Sequence, residues 1–176
     1  MAKLKLGMVG GGQGAFIGGV HRIASRIDNH YDLVAGSLAS NADIAHVSAK
    51  ELGINDDRSY ATFQDMAEKE SLREDGIDVV AIVTPNYLHY PIAEAFLSKN
   101  IHVICDKPLT HNLEDAEKFL ESVKKSKALF ALTHNYTGYP MVRQAREMFR
   151  NGEIGNLRII QVEYAQDWLT LPIENE

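Results

Sequence analysis

Gly10-Gly11-Gly12-Gln13-Gly14-Ala15-Phe16-Ile17-Gly18 is the stretch on which the reading of this chain turns. It follows an apolar run from Leu4 to Val9 and leads into a segment of helical periodicity that begins near Gly19. Five glycines in nine residues make a loop with few side chains. Where a strand passes into a helix, a Cβ would hold an anionic ligand away from the backbone N–H groups, and glycine removes that obstacle. The freed amides and the positive end of the helix dipole then suit the pyrophosphate of a dinucleotide. The usual spacing is G-x-G-x-x-G. Gly10 and Gly12 begin it, and the next glycine of the pattern, Gly18, arrives three residues late, whereas Gly10-x-Gly12-x-x-Ala15 fits the form that ends in alanine. A glycine-rich turn with no ligand is the competing reading, and the order strand, loop, helix favours the dinucleotide. The candidate cofactor contacts on this loop are Gly10, Gly12, Gln13, Gly14, Ala15, Phe16 and Ile17.

Outward from the loop, Val20, Ile23, Ala24 and Ile27 recur at intervals of three and four, which predicts an amphipathic helix lying on a sheet. His21 falls in its first turn, where a surface residue and a cofactor contact are equally compatible with the pattern. Leu33 to Leu38 reads as the second strand. A site selective for NAD usually places an acid at the end of that strand. Here Ser37, Ser40 and Asn41 stand in that neighbourhood, with no arginine beside them, so NAD and NADP both remain open as the cofactor. Ala42 to Leu52 reads as a helix stopped by Gly53, Arg58 to Tyr60 as a short strand, and Thr62 as the cap of a helix that buries Phe63, Met66 and Ala67. Strands alternating with helices predict a doubly wound, Rossmann-like α/β fold with a parallel sheet.

Asp78 to Val83 is nearly all apolar, as expected of a central parallel strand covered on both faces. Thr84-Pro85-Asn86-Tyr87-Leu88-His89 follows at its C-terminal end, the edge at which open α/β sheets bind ligands, so Thr84, Pro85, Asn86 and His89 are candidate contacts. A proline turn with a helix cap accounts for the same residues without a ligand. After a helix from about Pro91 to Ser98 and a strand from Ile101 to Ile104, Cys105-Asp106-Lys107-Pro108-Leu109 arrives at the same edge. Asp106, Lys107 and Pro108 join the cofactor-binding candidates. A lysine beside an acid in a binding crevice can move the proton of a reacting hydroxyl, which makes Lys107 the catalytic candidate, and a salt-bridging loop is the alternative.

The glycine loop leading to His21, the Thr84-Pro85-Asn86-x-x-His89 segment and Asp106-Lys107-Pro108 together resemble the glucose-fructose oxidoreductase, inositol dehydrogenase and rhizopine-catabolism (Gfo/Idh/MocA) family. That family commonly has Glu-Lys-Pro where this chain has Asp-Lys-Pro. The resemblance covers nearly the whole chain and implies an NAD(P)-dependent oxidoreductase acting on a sugar, polyol or similar small molecule. Lys107 matches the position of the family's active-site lysine.

Further segments extend the pattern. Leu113 to Val123 and Met141 to Arg150 read as helices, Leu129 to Leu132 as a strand, and Gly152-Glu153-Ile154-Gly155 resembles the family's junction into a second domain. Leu157 to Tyr164 alternates like that domain's first strand. The expected division is a dinucleotide-binding domain over residues 1–135 and a connecting helix with the start of an incomplete substrate domain over 136–176. His134 and Tyr136, past the last strand of the first domain, are secondary candidates for the active site. The chain is expected to bind dinucleotide while turning over weakly or not at all, and a binding module without turnover is the rival function. An unpaired strand edge over residues 157–168, ending at Trp168, predicts a homodimer formed through that tail.

A net charge of −6 with scattered basic residues argues against a nucleic-acid surface. The single Cys105 leaves no intramolecular disulfide, and cytoplasm is the default compartment. Neither a signal-like segment nor a run of membrane-spanning length occurs, and no motif with metal-ligand spacing is present, so neither a membrane nor a metal is expected.

Overall fold

The structure, a computed structural model, describes residues 2–166 and residue 170. Internal contacts divide the chain into two units, Met1–His134 and Asn135–Glu176.

The first unit is a sheet with helices on both faces. Its elements are β1 (Leu4–Gly10), α1 (Phe16–Ile27), β2 (Tyr31–Ser37), α2 (Ala42–Glu51), α3 (Phe63–Leu72), β3 (Val79–Val83), α4 (His89–Leu97), β4 (His102–Cys105), α5 (Leu113–Lys125) and β5 (Phe130–Leu132). All pairings are parallel, in the order β2-β1-β3-β4-β5. Parallel neighbours need long crossovers, which the helices supply. Because the chain leaves β1 to one side for β2 and returns to the other side for β3, the strand order reverses between β1 and β3. The C-terminal ends of those two strands, where Gly10 pairs with Val83, therefore form the switch point at which such sheets bind ligands.

Every residue of β3 is buried, and its side chains alternate between two cores. Val79, Ala81 and Val83 join Leu6, Met8, Leu38 and Ile54 on one side, while Val80 and Ile82 join Met66, Phe96 and Phe119 on the other. Phe119 adds ring contacts with Tyr90 and Phe130, at centroid distances of 5.6 and 4.6 Å. Helix starts follow the local chemistry: Asn41 accepts from the amides of Asp43 and Ile44, Thr62 from that of Asp65, and Asn112 from that of Asp115.

Three expectations are corrected. Residues 58–60 are not a strand of the sheet; a 3-10 turn at Asp56–Arg58 and one parallel bridge between Gly36 and Ser59 stand there instead. The cause is Arg58, which turns inward and donates to Glu70 from Nε (3.0 Å) and from Nη2, while Tyr60 Oη (2.7 Å) and the Ile77 amide (3.1 Å) donate to the same carboxylate. Satisfying a buried carboxylate outweighs the local strand preference. The second correction concerns α1, which starts at Phe16 rather than near Gly19, and whose apolar stripe does not face the sheet. Phe16 is 84% and Ile27 74% exposed, with Val20 and Ile23 also open, and the one fully buried residue of the helix is Gly18.

The third correction lies in the second unit. A 3-10 turn at Asn135–Gly138 leads into α6 (Pro140–Arg150), with proline in its first turn. No strand forms over residues 157–164; Ile159, Ile160, Val162 and Tyr164 lie exposed in irregular chain. A strand is held by its neighbours' hydrogen bonds, and the described residues of this unit offer no neighbouring strand. Trp168, at the end of the expected dimerising tail, lies outside the described residues.

Candidate functional site

The glycine loop is shaped by close backbone approaches. Gly10 and Gly11 adopt φ values of +80° and +74°. A Cβ at Gly10 would stand 2.7 Å from the carbonyl oxygen of Val83, across the switch point. A Cβ at Gly18 would stand 2.4 Å from the Cα of Gly11. Gly18 therefore does what the third glycine of the usual pattern does, letting the helix press against the strand end. Ala15 is exposed at the helix start. The three additional residues bulge outward, with Gly14 at φ +76° in open space.

This bulge is tied to α2. The Gly12 amide donates to Leu38 O at 3.0 Å, the Gln13 amide to Ser48 Oγ at 2.9 Å, and Gln13 Nε2 to Glu51 Oε1 at 2.7 Å. From α1, Arg22 Nη1 donates to Gly11 O at 2.6 Å, and burial, followed by the neighbouring Arg26, lowers the proton affinity of its guanidinium. A cavity of about 300 Å³ lies between the loop and these side chains, lined by Arg22, Ser48, Glu51 and Leu52 besides the loop residues. None of these four was marked by the sequence reading. They belong to ordinary helical patterns, and only the path of the bulge brings them to the glycines. Phe16 is exposed and Ile17 half-buried where the loop enters α1.

The second wall stands at the ends of β3 and β4. Thr84 Oγ1 is buried without a hydrogen-bond partner, the only such side-chain atom among the described residues, and its methyl group lies 2.9 Å from where a Cβ of Gly10 would be. Pro85 and Asn86 are exposed on the 3-10 turn that follows. His89, expected as a contact, is 1% exposed with both ring nitrogens against backbone carbonyls, because the turn at Pro85 delivers the first residue of α4 to the neighbouring loop. Asp106 Oδ1 accepts from Thr133 Oγ1 at 2.8 Å and lies 3.7 Å from His21 Nε2. Lys107 and Pro108 are exposed just beyond. Ser37 is buried at the end of β2, Ser40 is exposed, and the side-chain oxygen of Asn41 is committed to capping α2. His134 closes the first unit, whereas Tyr136 belongs to the second.

The fold thus brings Gly10, Thr84, Asp106, Lys107 and His21 to one edge of the sheet. The residues fit a dinucleotide on two observations: a loop at the switch point whose backbone packs too closely for a Cβ at Gly10, Gly11, Gly12 or Gly18 and so is bare of side chains there, and an orphaned hydroxyl beside it. Among the described residues, no cluster of side chains suits a metal ion, and no helix is long and apolar enough to cross a membrane.

Comparison with known proteins agrees with this geometry. Residues 4–134 match the Gfo/Idh/MocA oxidoreductase family, NAD-binding Rossmann fold. The chain is 31% identical to levoglucosan dehydrogenase of Pseudarthrobacter phenanthrenivorans, over 98% of this chain and 43% of that protein. Among solved structures, an oxidoreductase from Sinorhizobium meliloti is 57% identical, with a TM-score of 0.91, over 97% of this chain and 47% of that one. An inositol dehydrogenase homolog from Azotobacter vinelandii, complexed with NAD+, is 33% identical with a TM-score of 0.93, over 99% of this chain and 45% of that one. The chain therefore spans less than half the length of these relatives.

Proposed function

The chain belongs to the Gfo/Idh/MocA oxidoreductase family and forms its NAD-binding Rossmann domain, and from that premise we propose that it serves a dehydrogenase acting on a CH–OH group of a sugar or polyol. The observation that carries the reading is the glycine cradle at the β1/β3 switch point with the unpartnered Thr84 hydroxyl beside it. In it, Gly10, Gly12, Gln13 and Gly14 hold the pyrophosphate, with Ala15, Phe16 and Ile17 at the helix start. Ser37 and Ser40 meet the adenosine ribose, and Thr84, Pro85, Asn86, Asp106 and Pro108 line the nicotinamide side. The bound nicotinamide supplies the hydride acceptor or donor. Lys107 Nζ holds the substrate hydroxyl and handles its proton, while Asp106, fixed by Thr133, steadies the loop that carries it. The sugar and polyol class is supported by the relatives named levoglucosan dehydrogenase and inositol dehydrogenase homolog.

Turnover by this chain alone is expected to be weak. Positioning of the substrate is worth roughly 7–11 kcal/mol of barrier, and the chain spans less than half the length of these relatives. A dinucleotide-binding module without turnover is the second reading, favoured by that same coverage. The deciding measurement is a fluorescence titration with NADH and NADPH, which also separates the two cofactors, followed by a polyol screen for cofactor reduction. Thr84→Val should bind about tenfold more weakly, the size of one buried hydrogen bond, while its cofactor-free stability is equal to or above that of the wild type, since an unpartnered buried hydroxyl is removed. Absence of binding at millimolar dinucleotide, or equal binding by Thr84→Val, overturns the reading.

We place the protein in the cytoplasm, on the strength of its single, buried cysteine. Self-association through residues 157–168 is supported by the exposed Ile159, Ile160, Val162 and Tyr164. Sedimentation of the full chain beside a version ending at Gly155 tests it; the same species from both excludes the tail as the interface.

A further inference from the structure

His89 occupies a place that contact with the cofactor does not explain. It is the first residue of α4 and is 1% exposed. Its Nδ1 lies 2.7 Å from the carbonyl oxygen of Pro108 and its Nε2 3.0 Å from that of Thr84. Those carbonyls belong to the segments leaving β4 and β3, which are neighbours in the sheet. Carbonyl oxygens only accept, so a protonated ring nitrogen donates to one of these two segments while the ring packs against the other.

We propose that His89 is a positioning residue whose buried ring, lying between the Pro108 and Thr84 carbonyls, ties the Lys107–Pro108 loop to the Thr84 turn and thereby sets where Lys107 stands relative to the cofactor crevice. The same two segments are also held by the Thr133–Asp106 hydrogen bond and by Leu88 and Leu109 packing against the core, and His89 is the side chain that joins one to the other. The amide of Asp106 donates to Ile82 O at 3.0 Å and so anchors its segment to β3, and Lys107 follows it. The functional consequence rests on the proposed roles of Lys107 and Thr84, whereas the ring geometry does not.

The test therefore begins without cofactor. In the labelled wild-type chain, long-range nitrogen spectra should show a coupling across a hydrogen bond from the His89 ring to the carbonyl carbon of Pro108 or of Thr84. No coupling to either carbonyl overturns the proposal. His89→Leu should keep cooperative unfolding, speed amide exchange at Asp106 and Leu88, which donate to Ile82 O and Pro85 O, about tenfold relative to β1, and weaken NADH binding by a similar factor. His89→Gln, which can still donate at one end, should recover part of both losses. Unchanged exchange at Asp106 and Leu88 in a folded His89→Leu chain sinks the idea. If that variant does not fold, the wild-type couplings decide. Couplings present in a wild-type chain that binds no dinucleotide would uphold the tie and fault the cofactor reading alone.

Discussion

At Gly18 a side chain has nowhere to go, since its Cβ would stand 2.4 Å from the Cα of Gly11 and 2.6 Å from the Gly11 carbonyl oxygen. Gly18→Ala should therefore cost about 3 kcal/mol or more, the upper range of overpacking, because backbone rather than a flexible side chain must move. Gly14→Ala, with a positive φ but open space, should cost only roughly 1–2 kcal/mol. Urea unfolding of the two variants checks the order, and equal losses would refute the close-packing role of Gly18. Cys105 makes a second residue-scale prediction. Burial, with the nearby Asp106 adding to it, pushes its thiol up to about 12. The folded state thus favours the protonated thiol over an unfolded value of about 8.5. That contribution is complete below about pH 8.5 and is lost as pH rises from there toward 12, where the unfolded chain has released a proton that the native chain keeps. At pH 8 a thiol reagent should label Cys105 slowly in the native chain and rapidly in urea. Rapid native labelling would contradict the burial.

Among the elements, the connection between α2 and α3 depends on the pairing of Arg58 with Glu70, whose side chains are 6% and 0% exposed. Glu70 accepts from Arg58, Tyr60 and the Ile77 amide, so it ties the 3-10 turn, the bridge beside β2 and the entry to β3 to one helix. Burial, and then the bond to Glu70, raises the Tyr60 phenol well above its ordinary range. Glu70→Gln should cost about 3–5 kcal/mol in urea unfolding, because it leaves the buried guanidinium with only the exposed Asp75 carboxylate, 3.5 Å away, as counter-charge. A cost below about 1 kcal/mol, typical of an exposed pair, would refute that role. Helix α1 illustrates the other side of element formation. Its periodicity made a helix legible, yet Phe16, Ile23 and Ile27 point to solvent, because the contact of Gly18 with Gly11 chooses which face meets the sheet.

For the whole molecule, the buried cores both lie within the first unit, and the family match ends at the same place. A fragment of residues 1–134 should therefore unfold in a single cooperative step and bind NADH as the full chain does. Loss of cooperativity or of binding on removing residues 135–176 would show that the second unit is needed for either. The absence of any strand over residues 157–164 belongs to this scale too: their alternation suits a sheet, but a sheet is a property of several segments, and the described residues supply one.

Local chemistry was enough to read the parallel sheet from the apolar run at Val79–Val83, the cap at Thr62, and the cofactor loop from glycines between a strand and a helix. These depend on neighbours in the chain, which a sequence displays. Tertiary structure decided that Gly18, and not Ala15, completes the glycine pattern, that Arg58 turns in to Glu70, that Arg22 and Glu51 line the loop's cavity, and that His89 faces two carbonyls instead of the crevice. Each of these is settled by which distant backbone or buried charge comes within a few ångströms. Residue order carries no direct sign of such approaches, because their energy exists only once the sheet has brought the segments together.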